Sequence, residues 1–230
     1  IFFLNAGEVD PYLAWKISLK DASIIINQYF NRKITRTLNQ LPNNCSCETA
    51  SAEILKNFGV VLNSPLEKWI KSNNQIEKFP NKNSENNKLL KESIYWKNSN
   101  SSVEKSRMIS LKMMLDEIIN INGIYIGVDK ITHFTGSGFI YYKRYLSALK
   151  KGSPHKIAME KAIDIGVIGE KNILGRYASG VFSFADLEAN FQGLLFGIDL
   201  CNSLQPLIIK KNQRWILYKP FNIKNYVNPY

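Results

Sequence analysis

The sequence predicts a mainly α protein with a small β element, and three observations carry that expectation. Apolar residues recur at three- and four-residue spacing over most of the chain. Helix start signals precede those runs: Asp10-Pro11, Ser64-Pro65, Ser153-Pro154, and Ser183 with Asp186 three residues on. The clearest β signal is a single hairpin, Ile119-Asn120-Ile121 and Ile124-Tyr125-Ile126 around Asn122-Gly123. Asn-Gly supplies both positive-φ positions of a type I′ turn.

In chain order, Tyr12 to Leu41 reads as mostly helical, with Trp15, Leu19, Ala22, Ile26, Tyr29 and Phe30 at helical spacing. PNNCSCETASAEILKNFG then gives a loop, a capped short helix from about Ser51 and a stop at Gly59. The helix opened by Ser64-Pro65 carries Leu66, Trp69 and Ile70. From Asn73 to about Ser102 the composition shifts to Asn, Lys, Ser and Glu, which predicts a long exposed excursion. Helical spacing returns at Met108, Leu111, Met114, Leu115 and Ile118. After the hairpin, Gly127 ends the strand and Asp129 is placed to cap a helix from about Lys130 to Lys151. The next helix runs from Ser153-Pro154 to about Lys171, and the last from Ser183 to about Cys201. Between them, ILGRYASGVF is too short for a helix and suits a small extended element. The tail carries one short strand at Trp215 to Tyr218, and its prolines argue against more.

With 45% hydrophobic and 21% charged residues the chain is not a disordered one. Thirty Lys and Arg against 19 Asp and Glu give a net charge of +11, which attracts polyanions in general and selects none. Many lysines are scattered among asparagines between Lys68 and Lys112, as on a solvated surface, so no nucleic-acid partner is expected. Without a run of eighteen apolar residues, no stable membrane insertion is expected either. The opening IFFLNAGEVDP is compatible with a trimmed export signal. Either of Cys45 and Cys47 can reach Cys201, leaving one thiol over. With only His133 and His155 to add, the cysteines make a poor zinc site, and no metal or cofactor is expected.

The chemistry concentrates near residue 170. In IDIGVIGEKNILG, stepping along the helix from Met159 through Ala162, Ile163 and Gly166 arrives at Glu170, so this carboxylate shares the apolar face. Burial and the negative end of the helix dipole both disfavour its charged form. A carboxylic acid kept protonated suits general-acid catalysis; alternatively it bonds loop amides or is held by Lys171 or Arg176. On the last helix Asp186, Asn190, Gly193 and Gly197 follow one another at helical spacing. They read either as a groove floor or as close helix packing with Asp186 as a cap. Asp129 and His133, four apart, suit a carboxylate orienting an imidazole, two metal ligands, or a structural histidine. Phosphate-cradling fingerprints and the G-x-S-x-G nucleophile elbow are absent from the sequence.

GEKNILGRYASGVFSFADLEANFQGLLF, with IGVDKITHF upstream, resembles the deacetylation-specific lysozymes of predatory bacteria, distant relatives of goose-type lysozymes. The resemblance spans Ile119 to Cys201, about a third of the chain. It implies a lysozyme-like α-helical core with a small β-hairpin element, and cleavage of the glycan strand of peptidoglycan, preferring chains that have lost N-acetyl groups. Glu170 matches the catalytic acid, and Tyr177 through Ser183 to Asp186 lie where that fold lines its cleft. Protonation of the glycosidic oxygen by Glu170 is then the expected step, with Asp186 or a Ser183-held water on the opposite face. Tyr177, Asn190, His133 and Asp129 are the expected substrate contacts, and the expected location is exported, periplasmic or extracellular. The organisation that follows is an N-terminal helical region over 1–106 with its excursion at 73–102, a catalytic core over 107–205, and a packed tail over 206–230. The rival readings are a non-catalytic wall-binding or inhibitory protein, and a metal-dependent hydrolase using Asp129, His133, Glu170 and Asp186.

Overall fold

In the computed structural model, residues 9–59, 64–80, 88–89, 91–98, 115–172, 182–201 and 204–227 are described. They form a mainly helical molecule with two antiparallel hairpins. The helices are α1 (Ser23–Leu38), α2 (Cys47–Asn57), α3 (Pro65–Ser72) and the short α4 (Ile94–Asn98). After β1 (Ile118–Ile121) and β2 (Ile124–Gly127) comes α5 (Val128–Thr132), which passes through a π-helical stretch (His133–Ser137) into α6 (Gly138–Lys150). Then follow α7 (His155–Asn172), α8 (Phe184–Asp199), and the hairpin β3 (Ile208–Lys211) with β4 (Arg214–Leu217). No helix among the described residues is long and apolar enough to cross a membrane.

Most start signals act as their chemistry requires. Asp10, Ser64 and Ser183 each accept a backbone N–H of the turn they open. The first hairpin pairs Ile121 with Ile124 across Asn122 (φ 54°) and Gly123 (φ 87°), the backbone of a type I′ turn. Elsewhere the fold departs from the sequence reading. The stretch from Tyr12 breaks after a short 3₁₀ turn at Pro11–Ala14; Trp15 is exposed and α1 begins only at Ser23. Ser46, not Ser51, caps α2, so that helix starts four residues earlier than expected. Ile118 belongs to a strand. Asp129 does not cap; it sits in the first turn of α5, and its own N–H is bound by the Asp116 carboxylate at 2.9 Å. The tail forms a hairpin rather than one strand, turning through Asn212 and Gln213, both at positive φ.

The Asn/Lys-rich excursion is anchored at its start. Ile76 joins the core, Phe79 bridges to Ile118, and buried Lys78 donates to the carbonyls of Ile70, Asn73 and Ile76. A lysine with three carbonyl acceptors meets the hydrogen-bonding demand of a buried ammonium.

One cluster of buried side chains runs from Ala22 to Tyr226. Its centre is aromatic: Phe30 stacks on Phe221 with centroids 4.2 Å apart, and Phe134 stacks on Phe196 at 5.5 Å. Each buried ring contributes roughly 1.5–3 kcal/mol of transfer free energy. The tail is held by α1 through side-chain amides that imitate backbone: Asn31 both donates to the Phe221 carbonyl and accepts its N–H, while Asn27 accepts the Ile223 N–H. A disulfide, Cys47–Cys201, ties the start of α2 to the end of α8, and Cys45 is the free thiol.

The helix that positions the site is α8. It packs on α6, α7, α2, α5 and the π-helical stretch. At the α6–α8 crossing a Cβ on Gly193 would lie 1.9 Å from the Phe134 carbonyl oxygen and 2.8 Å from the Gly138 Cα. Gly197 meets Tyr142 and Leu55 in the same manner. These glycines are used for close helix packing, which removes the groove-floor reading of the last helix.

Candidate functional site

Glu170 lies in the last turn of α7, on the face that also buries Ala158 and Ala162, and is 2% exposed. Its Oε2 accepts the Ser183 N–H at 3.5 Å. Burial pushes its pKa above the ordinary glutamate range and the nearby Asp186 charge pushes the same way, against the Ser183 amide, His133 and Lys130. Lys171 points to solvent, and Arg176 lies outside the described residues.

Ser183 and Asp186 begin as a capping box and then diverge from it. The Ser183 hydroxyl accepts the Asp186 N–H at 3.2 Å, as the motif demands. The reciprocal bond, in which the Asp186 carboxylate would accept the Ser183 N–H, is not made; that N–H donates to Glu170 instead. Asp186 is thereby released from capping and turns its carboxylate to α5.

There it meets His133, which the sequence singled out, and Lys130, which it did not. Lys130 bonds Asp186 Oδ1 directly and Asp129 Oδ2 at 2.6 Å. His133 presents Nε2 to Asp186 Oδ2 at 3.5 Å and Nδ1 to Asn190 Oδ1 at 3.0 Å. Asn190 in turn donates to the Tyr141 hydroxyl at 3.4 Å. That hydroxyl occupies the space where Gly166 lacks a side chain: a Cβ there would fall 1.5 Å from it. The chain of contacts thus returns to α7 one turn before Glu170, and the charge of Glu170 contributes to raising the Tyr141 pKa after burial.

Glu170, Ser183, Asp186, Asn190, His133 and Asp129 are therefore brought together, whereas Tyr177 lies outside the described residues. Asp129 and Asn190 have internal partners: Asp129 is bound to Lys130, with Oδ1 buried and unbonded. Burial, with Asp116 and Asp186 nearby, raises the Asp129 pKa against Lys130 and His133. A second layer stands behind it. Asp116 pairs with Lys71 at 2.7 Å, Lys71 with Glu67 at 2.7 Å, and Glu67 accepts the Thr132 hydroxyl at 2.6 Å. The ligating atoms of Asp129, His133 and Asp186 lie within 4.8 Å of one another, a spacing that suits a cation. The Lys130 ammonium, bonded to both carboxylates, supplies positive charge at that place.

Sequence reasoning missed Lys130 and Tyr141. A lysine in a first helical turn reads as surface, and Lys130 is separated from Asp186 by 56 residues. The usable signal for Tyr141 was Gly166, an unexplained glycine inside an apolar stripe. Lys130 also borders an apolar groove of about 690 Å³ between the first hairpin, α8 and the tail, walled by Ile126, Phe134, Leu187, Phe191 and Tyr226. No protein-family model, curated protein or solved structure matches this chain.

Proposed function

We propose that this chain is a glycoside hydrolase that cleaves the glycan strand of peptidoglycan, with Glu170 as the general acid. The observation that carries this reading is a carboxyl group buried at a helix end, where burial and Asp186 both favour its protonated form. Glu170 delivers its proton to the glycosidic oxygen as positive charge develops on the sugar. Asp186 serves the scheme through its charge, which helps to keep the proton on Glu170 until it is needed. Asp186, or a water bonded to Ser183, acts on the opposite face of the sugar. Asp129, Asn190 and His133 hold these groups in place, and Tyr177 contacts the strand.

A preference for deacetylated strands has local support that net charge alone does not give. Although the chain carries +11 overall, the carboxyl groups of Asp129 and Asp186, bound to Lys130, and of Asp116, bound to Lys71, gather beside Glu170. A free sugar ammonium meets a more favourable field in such a place than an acetamide does.

Release of soluble muropeptides from native and from deacetylated peptidoglycan, by wild type and by Glu170→Gln, is the test. The expected result is cleavage by wild type, faster on deacetylated strands, and a loss of about 10²-fold or more in the folded variant. Binding to peptidoglycan without cleavage of either substrate would replace this reading with that of a wall-binding protein. The convergence of Asp129, His133 and Asp186 favours a metal-dependent hydrolase as the second reading. Cleavage that disappears on chelation and returns with added divalent metal would select it.

A further inference from the structure

We propose that the outer face of the β3–β4 hairpin, together with the exposed stripe of α1, is a docking surface for an anionic lipid bilayer. This inference is independent of the catalytic reading, because it rests on a different part of the molecule. Between Ala22 and Ser46, and again from Leu200 to Tyr230, the sequence contains no Asp or Glu. The same two segments carry Arg32, Lys33, Arg36, Lys210, Lys211, Arg214, Lys219 and Lys224, the last of them paired with Asp21 at 3.3 Å.

The fold makes one region of these two segments. Trp215 of β4 donates to the Cys45 carbonyl beyond the C-terminal end of α1, and Phe221 and Ile223 bond to Asn31 and Asn27. The chain from β4 onward therefore runs back along α1. Arg32, Arg36, Lys211 and Arg214 are exposed, and no ion pair forms to them among the described residues.

The strand register interleaves these cations with apolar groups. Lys211 pairs with Arg214 and Ile209 with Ile216, two residues apart and hence on the same face. Ile216 is 37% exposed, Tyr218 58% and Ile24, at the head of the α1 stripe, 69%. Cations alone suit any polyanion, but exposed aliphatic and aromatic side chains among them match the interface of a charged bilayer. The surface charge attracts the lipid headgroups, and Ile216, Tyr218 and Ile24 enter the boundary beneath them.

Co-sedimentation of the full chain with vesicles of phosphatidylglycerol and phosphatidylcholine, against vesicles of phosphatidylcholine alone, tests the proposal. Wild type is expected to pellet only with the anionic vesicles. K211E/R214E should partition at least about tenfold less, and I216S/Y218S a few fold less, with unchanged circular dichroism. Failure of wild type to pellet with anionic vesicles overturns the proposal. So does equal vesicle binding by I216S/Y218S and wild type when soluble polyphosphate competes completely, since the partner is then a soluble polyanion.

Discussion

Neighbouring charges act on the proton of Glu170 in opposite directions. Asp186 favours the protonated form, and His133 and Lys130 oppose it. A general acid works only while protonated, so the rate falls as pH rises through its raised pKa. Removing the Asp186 charge lowers that pKa, and removing the Lys130 charge raises it. In the activity that Asp186→Asn retains, the alkaline limb of the rate–pH profile for glycan cleavage is therefore expected at lower pH, and Lys130→Met is expected to move it to higher pH. Shifts of both variants in the same direction would remove Glu170 as the group behind that limb. Glu170 was legible in the sequence because a carboxylate on an apolar stripe is conspicuous at any resolution of the fold. Lys130 was not, because its meaning depends on a carboxylate from α8 that only tertiary packing delivers.

At the scale of elements, the site depends on how closely α8 approaches the π-helical stretch and α6. Gly193 permits that approach, with backbone on the facing side, so the neighbours of an added methyl group have no side-chain torsion through which to yield. Gly193→Ala is expected to destabilise the protein by about 2–3 kcal/mol in urea unfolding, because overpacking forces a helix shift. Gly197→Ala meets the side chains of Tyr142 and Leu55, which can move, and should cost less. Equal costs would mean that α8 is free to slide. Local chemistry made the starts of α3 and α8 and the first hairpin readable, since a serine cap or an Asn-Gly turn acts within four residues. The second hairpin escaped notice because Asn212 and Gln213 adopt positive φ without glycine. The N–H of Asp129 is instead bound by Asp116, thirteen residues upstream and just before β1.

The whole molecule is tied together across most of its length by one covalent link. Cys47 and Cys201 are 154 residues apart, and their bond joins α2, packed on α1, to the C-terminal end of α8, the helix that positions the site. The spacing of the three cysteines left two pairings open, since only the approach of α2 to α8 decides between Cys45 and Cys47. A cross-link closing so long a loop restricts the unfolded chain strongly, and its loss costs about 2–5 kcal/mol. Cys201→Ser is the clean test, because Cys47→Ser would leave Cys45 able to take its place. The expected outcome is a fall in unfolding free energy of that size without reductant, disappearing when reductant is added to both proteins. Cys45→Ser should stay within about 0.5 kcal/mol of wild type, as replacing a thiol with no partner in the cross-link does not change the loop. If Cys45→Ser were as damaging as Cys201→Ser, the covalent link would run through Cys45. Such a link would shift the entry to α2 and displace the Cys45 carbonyl from the Trp215 indole N–H.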